Sequence, residues 1–210
     1  MKVRKLTQVR QEYPKFKIKT GWEPAEDGGF SNPKFGFVES VVICKDDGSP
    51  VYDQYQIVEK GGAIVIPYYF ERQLRVGLIS IFRVIPADPK NPGKQGIISI
   101  ETPRGFAIDG EVAEETAIRE LGEETQRVVA SLKLIGYVNP NTAFYKSYIP
   151  VFALEVDREK YSKLRPEAEE KIFQCRFYTK QEVEALVRAR KIFCGLTKAA
   201  LMDFFSTVGP

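Results

Sequence analysis

The hydrophobic positions along the chain change their spacing several times, and each spacing predicts a different kind of element. Alternating or continuous apolar runs bounded by Gly, Pro, Asn or Asp predict β-strands. Such runs occur at Lys15–Lys19, Phe35–Cys44, Val51–Val58, Ala63–Phe70, Leu74–Arg83, Gly96–Glu101, Ser131–Val138, Ser147–Val156 and Ile172–Tyr178. Apolar residues three and four positions apart predict amphipathic helices instead. This spacing occurs at Ala113–Thr125, Lys180–Lys191 and Leu196–Phe205.

The order of these elements predicts an α+β fold. Strands precede and follow the first helix and two helices come late, which favours a mixed β-sheet between helical layers, an α/β/α sandwich. The chain has 210 residues, enough for one domain with its own core plus a smaller subdomain. We therefore predict an N-terminal β-rich subdomain at 1–54 and the main domain at 55–210.

The composition excludes several kinds of chemistry. The chain contains no histidine, which excludes Ser-His-Asp and Cys-His arrangements and any zinc site that uses histidine. A general base must therefore be a carboxylate or, less readily, Lys or Tyr. The net charge of +3 is too small to imply a nucleic-acid partner. The first twenty residues are more basic, but apolar and basic residues alternate over Phe16–Lys19, which is typical of a strand whose charged side faces solvent.

The sequence also predicts a cytoplasmic protein without a membrane segment. The longest apolar run, Ala63–Phe70, is too short to cross a bilayer, and the N-terminus has no apolar region typical of a signal peptide. The three cysteines, Cys44, Cys175 and Cys194, are odd in number and widely spaced. That arrangement favours a reducing compartment and buried thiols over a disulfide framework.

The segment 105–127 concentrates acidic residues on one loop and helix. Glu120 and Glu124 are four residues apart, and like charges at this spacing destabilise a helix by about 0.2–0.5 kcal/mol. They also lie in the last turns, where the helix dipole favours cations. A divalent cation bound by carboxylate oxygens would reverse both effects. The alternative is a solvated Glu-rich helix whose stripe of Ala117, Ile118 and Leu121 faces the core.

Written as a pattern, this segment reads G-x5-E-x7-R-E-L-x-E-E and so resembles the signature of the Nudix hydrolase family. The matching residues are Gly105, Glu111, Arg119, Glu120, Leu121, Glu123 and Glu124. Gln126 and Arg127 depart from the family pattern, which has a glycine and then an aliphatic residue. The glycine fits a left-handed turn after the helix, so the departure concerns the end of the helix rather than the acids.

Further motifs resemble the branch that hydrolyses ADP-ribose and related nucleoside-diphosphate sugars. These are the strand that ends at Arg83, the E-x-P-x-G turn of Glu101–Gly105, the acidic residue Glu170 before a strand, and the closing segment Arg190–Leu201. Members of this branch commonly dimerise through an N-terminal β subdomain, which implies that role for 1–54. Asn139–Thr142 stands where the branch has a substrate-selecting SPG loop, so the identity of the sugar stays open.

The resemblance implies the following roles. Glu120, Glu123, Glu124 and the carbonyl of Arg104 would bind Mg2+ or Mn2+, and Glu170 would be the base, with Glu167 and Glu169 as alternatives. Arg119 would pair with Glu115 or Glu123 and orient that acid, or form only a helix salt bridge. Gly105 and Glu111 would hold the loop. Arg83, Arg104 and either Tyr145 or Phe144 would contact the substrate.

Three functions remain open on these grounds. The first is hydrolysis of ADP-ribose or another nucleoside-diphosphate sugar to a nucleoside monophosphate and a sugar phosphate. The second is hydrolysis of dinucleoside polyphosphates or nucleoside triphosphates. Tyr145 lies near a position where enzymes that hydrolyse dinucleoside polyphosphates often have a tyrosine. The third is a non-catalytic sensor that retains the fold. The intact set of acids disfavours the third.

Overall fold

The structure, a computed structural model, describes residues 2–5, 23–24, 30–32, 36–83, 97–125, 132–157 and 172–209. Side chains are described from 36 onward within these ranges, except at 40, 53, 123–125 and 172–174. The chain forms two compact units. One consists of Met1–Gly61 with Asn139–Tyr148, and the other of Gly62–Val138 with Ile149–Pro210.

The first unit is built on an antiparallel sheet. Its strands are β1 (Lys2–Lys5), β2 (Glu23–Pro24), β3 (Phe30–Asn32), β4 (Gly36–Cys44) and β5 (Pro50–Glu59). They are ordered β1-β4-β3-β2, and β5 also pairs with β4. The predicted hairpin of β4 and β5 is confirmed, with Asp47 accepting a 2.8 Å hydrogen bond from Ser49 N in its turn. The predicted strand at Lys15–Lys19 lies outside the described residues.

The first unit extends beyond the predicted subdomain. The predicted boundary after residue 54 falls within β5, and the unit continues to Gly61. It also includes the loop Asn139–Tyr148, which pairs with β5 through Ile57: Ile57 N donates to Phe144 O at 2.6 Å, and Lys146 N donates to Ile57 O at 3.1 Å. This loop therefore depends on the N-terminal sheet for its conformation.

The second unit contains a mixed sheet, as predicted. Its strands are β6 (Gly62–Phe70), β7 (Leu74–Arg83), β8 (Ile97–Glu101), β9 (Arg104–Phe106), β10 (Leu132–Val138), β11 (Ile149–Glu155) and β12 (Ile172–Tyr178). The order is β10-β11-β6-β7-β12, with β8 also paired to β7 and β9 to β6. Only β11 and β6 run parallel among these described pairs.

The strands β6 and β7 pair at their hairpin end and separate further along. Tyr68–Phe70 pairs with β7, whereas Gly62–Ile64 pairs with β9. Between these two segments, Val65 N donates to Pro103 O at 3.0 Å. The chain from β8 to β9 thus fills the opening between the two strands and brings Glu101–Phe106 against the centre of the sheet.

Helices cover both faces of this sheet, which confirms the predicted sandwich. They are α1 (Ala113–Thr125), α2 (Lys180–Arg188) and α3 (Gly195–Thr207). Successive β6 side chains point to opposite faces. Ala63 and Val65 pack in one core with α1, and Ile64 and Ile66 pack in another with α2 and α3. Within the described ranges, no helix is long and apolar enough to cross a membrane.

Two details of the helices differ from the predictions. Ile118 was expected to face the core but is 46% exposed, because the buried face of α1 is centred between Thr116, Ala117 and Glu120. Helix α2 ends at Arg188 and not at Lys191. Arg190 takes a left-handed conformation with φ of 54°, and this conformation stops a right-handed helix.

Candidate active site

The motif glycine and a motif acid occupy the same small space. The carboxylate of Glu120, on α1, lies directly against Gly105, on β9, so that a β-carbon at position 105 would overlap it. Strand β9 pairs with β6, and α1 packs against Ala63 and Val65 of β6, so β6 holds the two elements at this close approach. Glycine at 105 is therefore required by space rather than by backbone conformation.

Arg119 joins the loop before α1 to Glu120. Its Nε donates to Glu111 Oε1 at 2.7 Å, and its Nη1 donates to Glu120 Oε1 at 2.7 Å. Its Nη2 donates to the backbone oxygen of Phe106 at 2.7 Å. The Arg119 side chain is 22% exposed and that of Glu120 is 12% exposed, so these charge-assisted hydrogen bonds are partly shielded from water. The guanidinium thus fixes the carboxylate relative to β9.

Glu111 closes the loop between β9 and α1. One of its oxygens accepts from Ile108 N at 3.0 Å and from the Thr116 hydroxyl at 3.0 Å. The hydrogen bond from Arg119, followed by that from Ile108, lowers the pKa of Glu111 to about 2. The carboxylate is therefore ionised at neutral pH and acts as an anchor for Arg119. Glu111 thus holds the loop in the structure, and the role of Gly105 and Glu111 in a working site stays a prediction.

Arg119 has a described partner, Glu111, that was not among the expected ones. Glu115 accepts a hydrogen bond from Val112 N at 3.1 Å, at the start of its own helix, and the side chain of Glu123 lies outside the description. The contact to Glu111 spans eight residues. Sequence spacing alone identifies only helical neighbours three or four apart, and so this partner was missed.

The predicted metal ligands can be compared with the structure only in part. Glu120 supplies a hard oxygen donor, is only 9% exposed, and packs on Gly105, which directly follows Arg104. The α1 backbone continues regularly to Thr125, which places the α-carbons of Glu123 and Glu124 about one turn beyond Glu120. Among the described side chains, no group of three or more His, Cys, Asp or Glu could hold a metal ion. Glu120 is the one predicted carboxylate ligand whose side chain is described, and its oxygens are of the kind that a divalent cation prefers.

A second cluster centres on Glu101, a buried carboxylate whose importance the sequence reading missed. Glu101 is 2% exposed at the end of β8. Arg83 Nη2 donates to its Oε2 at 2.8 Å and Arg104 Nη2 to the same atom at 3.0 Å. Burial alone would raise the pKa of Glu101, but the two arginines lower the pKa below its ordinary value. An acid that ends an otherwise apolar strand was the available signal, since buried carboxylates require cationic partners.

Arg83 and Arg104, both expected to contact substrate, are therefore brought together by Glu101. Their side chains are 36% and 22% exposed. The two arginines therefore share one buried carboxylate. Such a group can attract an anion and orient it through N–H donors.

The remaining predicted residues lie in the first unit or outside the described residues. Tyr145 is half-buried in the loop that pairs with β5, where burial, and then the charge of Glu59, raises its pKa. Phe144 is 49% exposed. The Asn139 side chain shapes this loop by donating to Tyr145 O at 2.9 Å. The candidates for the base, Glu167, Glu169 and Glu170, lie outside the described residues.

Comparisons with known proteins identify the family and the fold. The family model for the NUDIX domain matches residues 69–194, more than half of the 210-residue chain. The chain therefore belongs to the Nudix hydrolase family. In fold it is similar to the crystal structure of an ADP compounds hydrolase, with a TM-score of 0.59 and 16% sequence identity over 84% of this chain and 87% of that one. No curated protein matches the sequence.

Proposed function

We propose that this Nudix hydrolase cleaves the diphosphate of ADP-ribose or a related nucleoside-diphosphate sugar. The products are a nucleoside monophosphate and a sugar phosphate, and the reaction depends on Mg2+ or Mn2+. The observation that carries the proposal is the Arg119 network, in which Glu111, Phe106 O and Glu120 are joined by 2.7 Å contacts. A surface helix gains little from such an arrangement, whereas a metal ligand must be held in a fixed position.

In this proposal Glu120, Glu123, Glu124 and the carbonyl of Arg104 hold the cation. When bound, the cation neutralises charge on the phosphates and makes water a better nucleophile. Arg119 orients the Glu120 carboxylate, and Glu111 keeps Arg119 in place. Glu170 accepts the proton from the attacking water, with Glu167 and Glu169 as alternatives, since the chain has no histidine to serve as the base.

The choice of a bridging diphosphate rests on the pair of arginines. Arg83 and Arg104 are held by a single buried carboxylate and are both partly exposed, which suits a ligand with two adjacent phosphates. The resemblance in fold to an ADP compounds hydrolase supports the same class of substrate.

A chelator experiment tests the enzymatic part of this proposal. Purified protein is incubated with ADP-ribose and Mg2+, and AMP and ribose 5-phosphate are measured. We expect both products in equal amounts, their loss on addition of excess EDTA, and their return when Mg2+ is restored. Equal product formation with and without EDTA would contradict metal-dependent hydrolysis, and the absence of both products would exclude ADP-ribose as the substrate.

We further propose that residues 1–54 build a homodimer and that the protein is cytoplasmic. The β4–β5 hairpin exposes several large apolar side chains, namely Phe37, Val51, Tyr52 and Tyr55, and exposed apolar groups on a sheet favour association. The three cysteines form no disulfide bonds, as is usual in a reducing compartment. Sedimentation should give about twice the chain mass of 23.8 kDa, and Tyr52→Ser with Tyr55→Ser should shift it to the monomer. A monomeric wild-type protein would contradict the dimer.

A further inference from the structure

The segment that leads into α3 runs beside the site-forming segment 100–104. Ile100 N donates to Lys191 O at 3.0 Å, and Thr102 N donates to the hydroxyl of Thr197 at 3.2 Å. Arg104 Nη1 donates to the sulfur of Cys194 at 3.0 Å. The contacts involve every second residue of this segment: the backbone N–H groups of Ile100 and Thr102 and the guanidinium of Arg104. The start of α3 and the residues just before it therefore lie against the segment 100–104.

Both ends of this connection are firmly held. Thr102 and Thr197 are each 0% exposed, and their hydroxyl oxygens are 3.3 Å apart. Lys191 directly follows the left-handed Arg190, and its N–H donates to Leu186 O at 2.9 Å. The folded protein loses stability when a buried hydroxyl or amide group loses its hydrogen-bond partner. A substitution at position 197 is therefore transmitted to Thr102 and, along the backbone, toward Gly105.

The side chains of Cys194 and Thr197 make hydrogen bonds with the segment 100–104. Cys194 is the N-cap residue of α3, yet its side chain makes no capping hydrogen bond. Ser, Thr, Asp and Asn are the residues that stabilise a helix at this position. The sulfur instead accepts from Arg104, whose other terminal nitrogen donates to Glu101. Local helix stability does not explain this choice of residue.

We propose that Cys194 and Thr197 are positioning residues of the hydrolase site. Cys194 sets the direction of the Arg104 guanidinium and so affects substrate binding. Thr197 sets the backbone from Thr102 to Gly105, against which Glu120 packs, and so affects cation binding. The proposal deepens the proposed function and rests on it, because it assigns these residues to the same diphosphate and cation.

The experiment uses four variants of the full chain, each with a single substitution. Thr197→Val removes the hydroxyl while keeping the shape, and Thr197→Ser retains the hydroxyl. Cys194→Ser replaces the sulfur by a shorter hydroxyl that can cap the helix. Thr207→Val makes the same change as Thr197→Val at the exposed end of α3 and serves as the matched control. Mn2+ affinity is measured by electron paramagnetic resonance, kcat and KM with ADP-ribose, and Tm by calorimetry.

The two sites should give different results. Thr197→Val should weaken Mn2+ binding about tenfold, as is usual when a residue that orients a metal ligand is changed, and Thr197→Ser and Thr207→Val should bind like wild type. Cys194→Ser should raise KM about threefold to tenfold, since sulfur is a weak acceptor whose loss is felt mainly by Arg104. Its Mn2+ affinity should be unchanged, and its Tm should be unchanged or higher. A purely structural role would instead lower Tm and leave KM unchanged.

Several outcomes would overturn the proposal. Wild-type Mn2+ affinity in a folded Thr197→Val variant removes the role of Thr197, and wild-type KM in Cys194→Ser removes that of Cys194. If Thr197→Val does not fold, its hydroxyl serves the fold and the positioning role of Thr197 is likewise rejected, while the KM of Cys194→Ser still tests Cys194. If wild-type protein hydrolyses no diphosphate substrate, the proposed function fails, while the Mn2+ affinities of the Thr197 variants still test the positioning role independently.

Discussion

The carboxylate of Glu120 fills the space that a side chain at position 105 would need, so the glycine of β9 and the acid of α1 form one structural unit. The neighbouring residue Arg119 then links this unit to the loop through Glu111. The site is therefore sensitive to changes of a single carbon atom at Gly105 as well as to changes of charge.

Gly105→Ala should destabilise the fold and remove cation binding, because the added methyl group displaces Glu120. We expect a loss of about 1–3 kcal/mol in the free energy of unfolding, as for other overpacked sites. Gly122→Ala is the matched control: it lies in α1 with open space around it and should stabilise the helix by about 0.5–1 kcal/mol. Urea unfolding and Mn2+ titration measure both effects. Normal Mn2+ binding by Gly105→Ala would contradict the packing argument.

Glu120→Gln should abolish Mg2+-dependent hydrolysis, with kcat/KM reduced at least about a hundredfold, while the fold survives. The ion pair with Arg119 is largely buried, but Gln keeps an oxygen that can accept from Arg119, so stability should fall by about 1–3 kcal/mol. The exposed acid Glu114, in the first turn of the same helix, provides the control Glu114→Gln, which should retain full activity. Wild-type turnover by Glu120→Gln would refute the assignment of the site.

Glu111 should make stability depend on acid pH. Its pKa falls from an ordinary 4.5 to about 2 in the folded protein, so the unfolded chain takes up a proton first as the pH falls. The stabilisation is complete above pH 4.5 and is lost as the pH approaches 2. Calorimetry of Glu111→Gln should therefore show a smaller decrease in Tm over this range than wild type. Parallel curves for the two proteins would show that Glu111 has no such role.

Arg83→Ala should lower kcat/KM without removing Mn2+ binding, because it removes the side chain proposed to contact the substrate and leaves the acids of α1 intact. Glu101 keeps Arg104 as a partner, so the loss of stability should be roughly 1–3 kcal/mol. Arg75→Ala is a suitable control, since Arg75 lies on the same strand and pairs at 3.5 Å with the exposed Glu182. Equal kcat/KM values for the two variants would exclude Arg83 from substrate binding.

The sequence predicted the layers of the second unit because its strands and helices have different hydrophobic patterns. The short continuous apolar run of β6 predicted a strand and the helical spacing in α1 predicted a helix, and both elements are confirmed. Ile118 was placed wrongly because an apolar residue beside the buried face looks like a member of it. The acid Glu120 lies on that buried face instead, where a spacing argument expects an apolar residue.

The side-chain partners were harder to predict, because they join residues that are far apart in sequence. Arg83 and Glu101 are 18 residues apart, and Thr102 and Thr197 are 95 apart. Only the register of the sheet and the packing of α3 bring them together. The inclusion of Asn139–Tyr148 in the first unit was missed for the same reason, since its pairing with β5 depends on tertiary structure.

The central claim is that the enzyme acts on a diphosphate that bridges two ribose-like groups. The most direct test is kcat/KM for ADP-ribose, a second nucleoside-diphosphate sugar, ATP and diadenosine polyphosphates, under identical conditions with saturating Mg2+. The account predicts the highest value for ADP-ribose or the other nucleoside-diphosphate sugar. A clear preference for ATP or for diadenosine polyphosphates would contradict it.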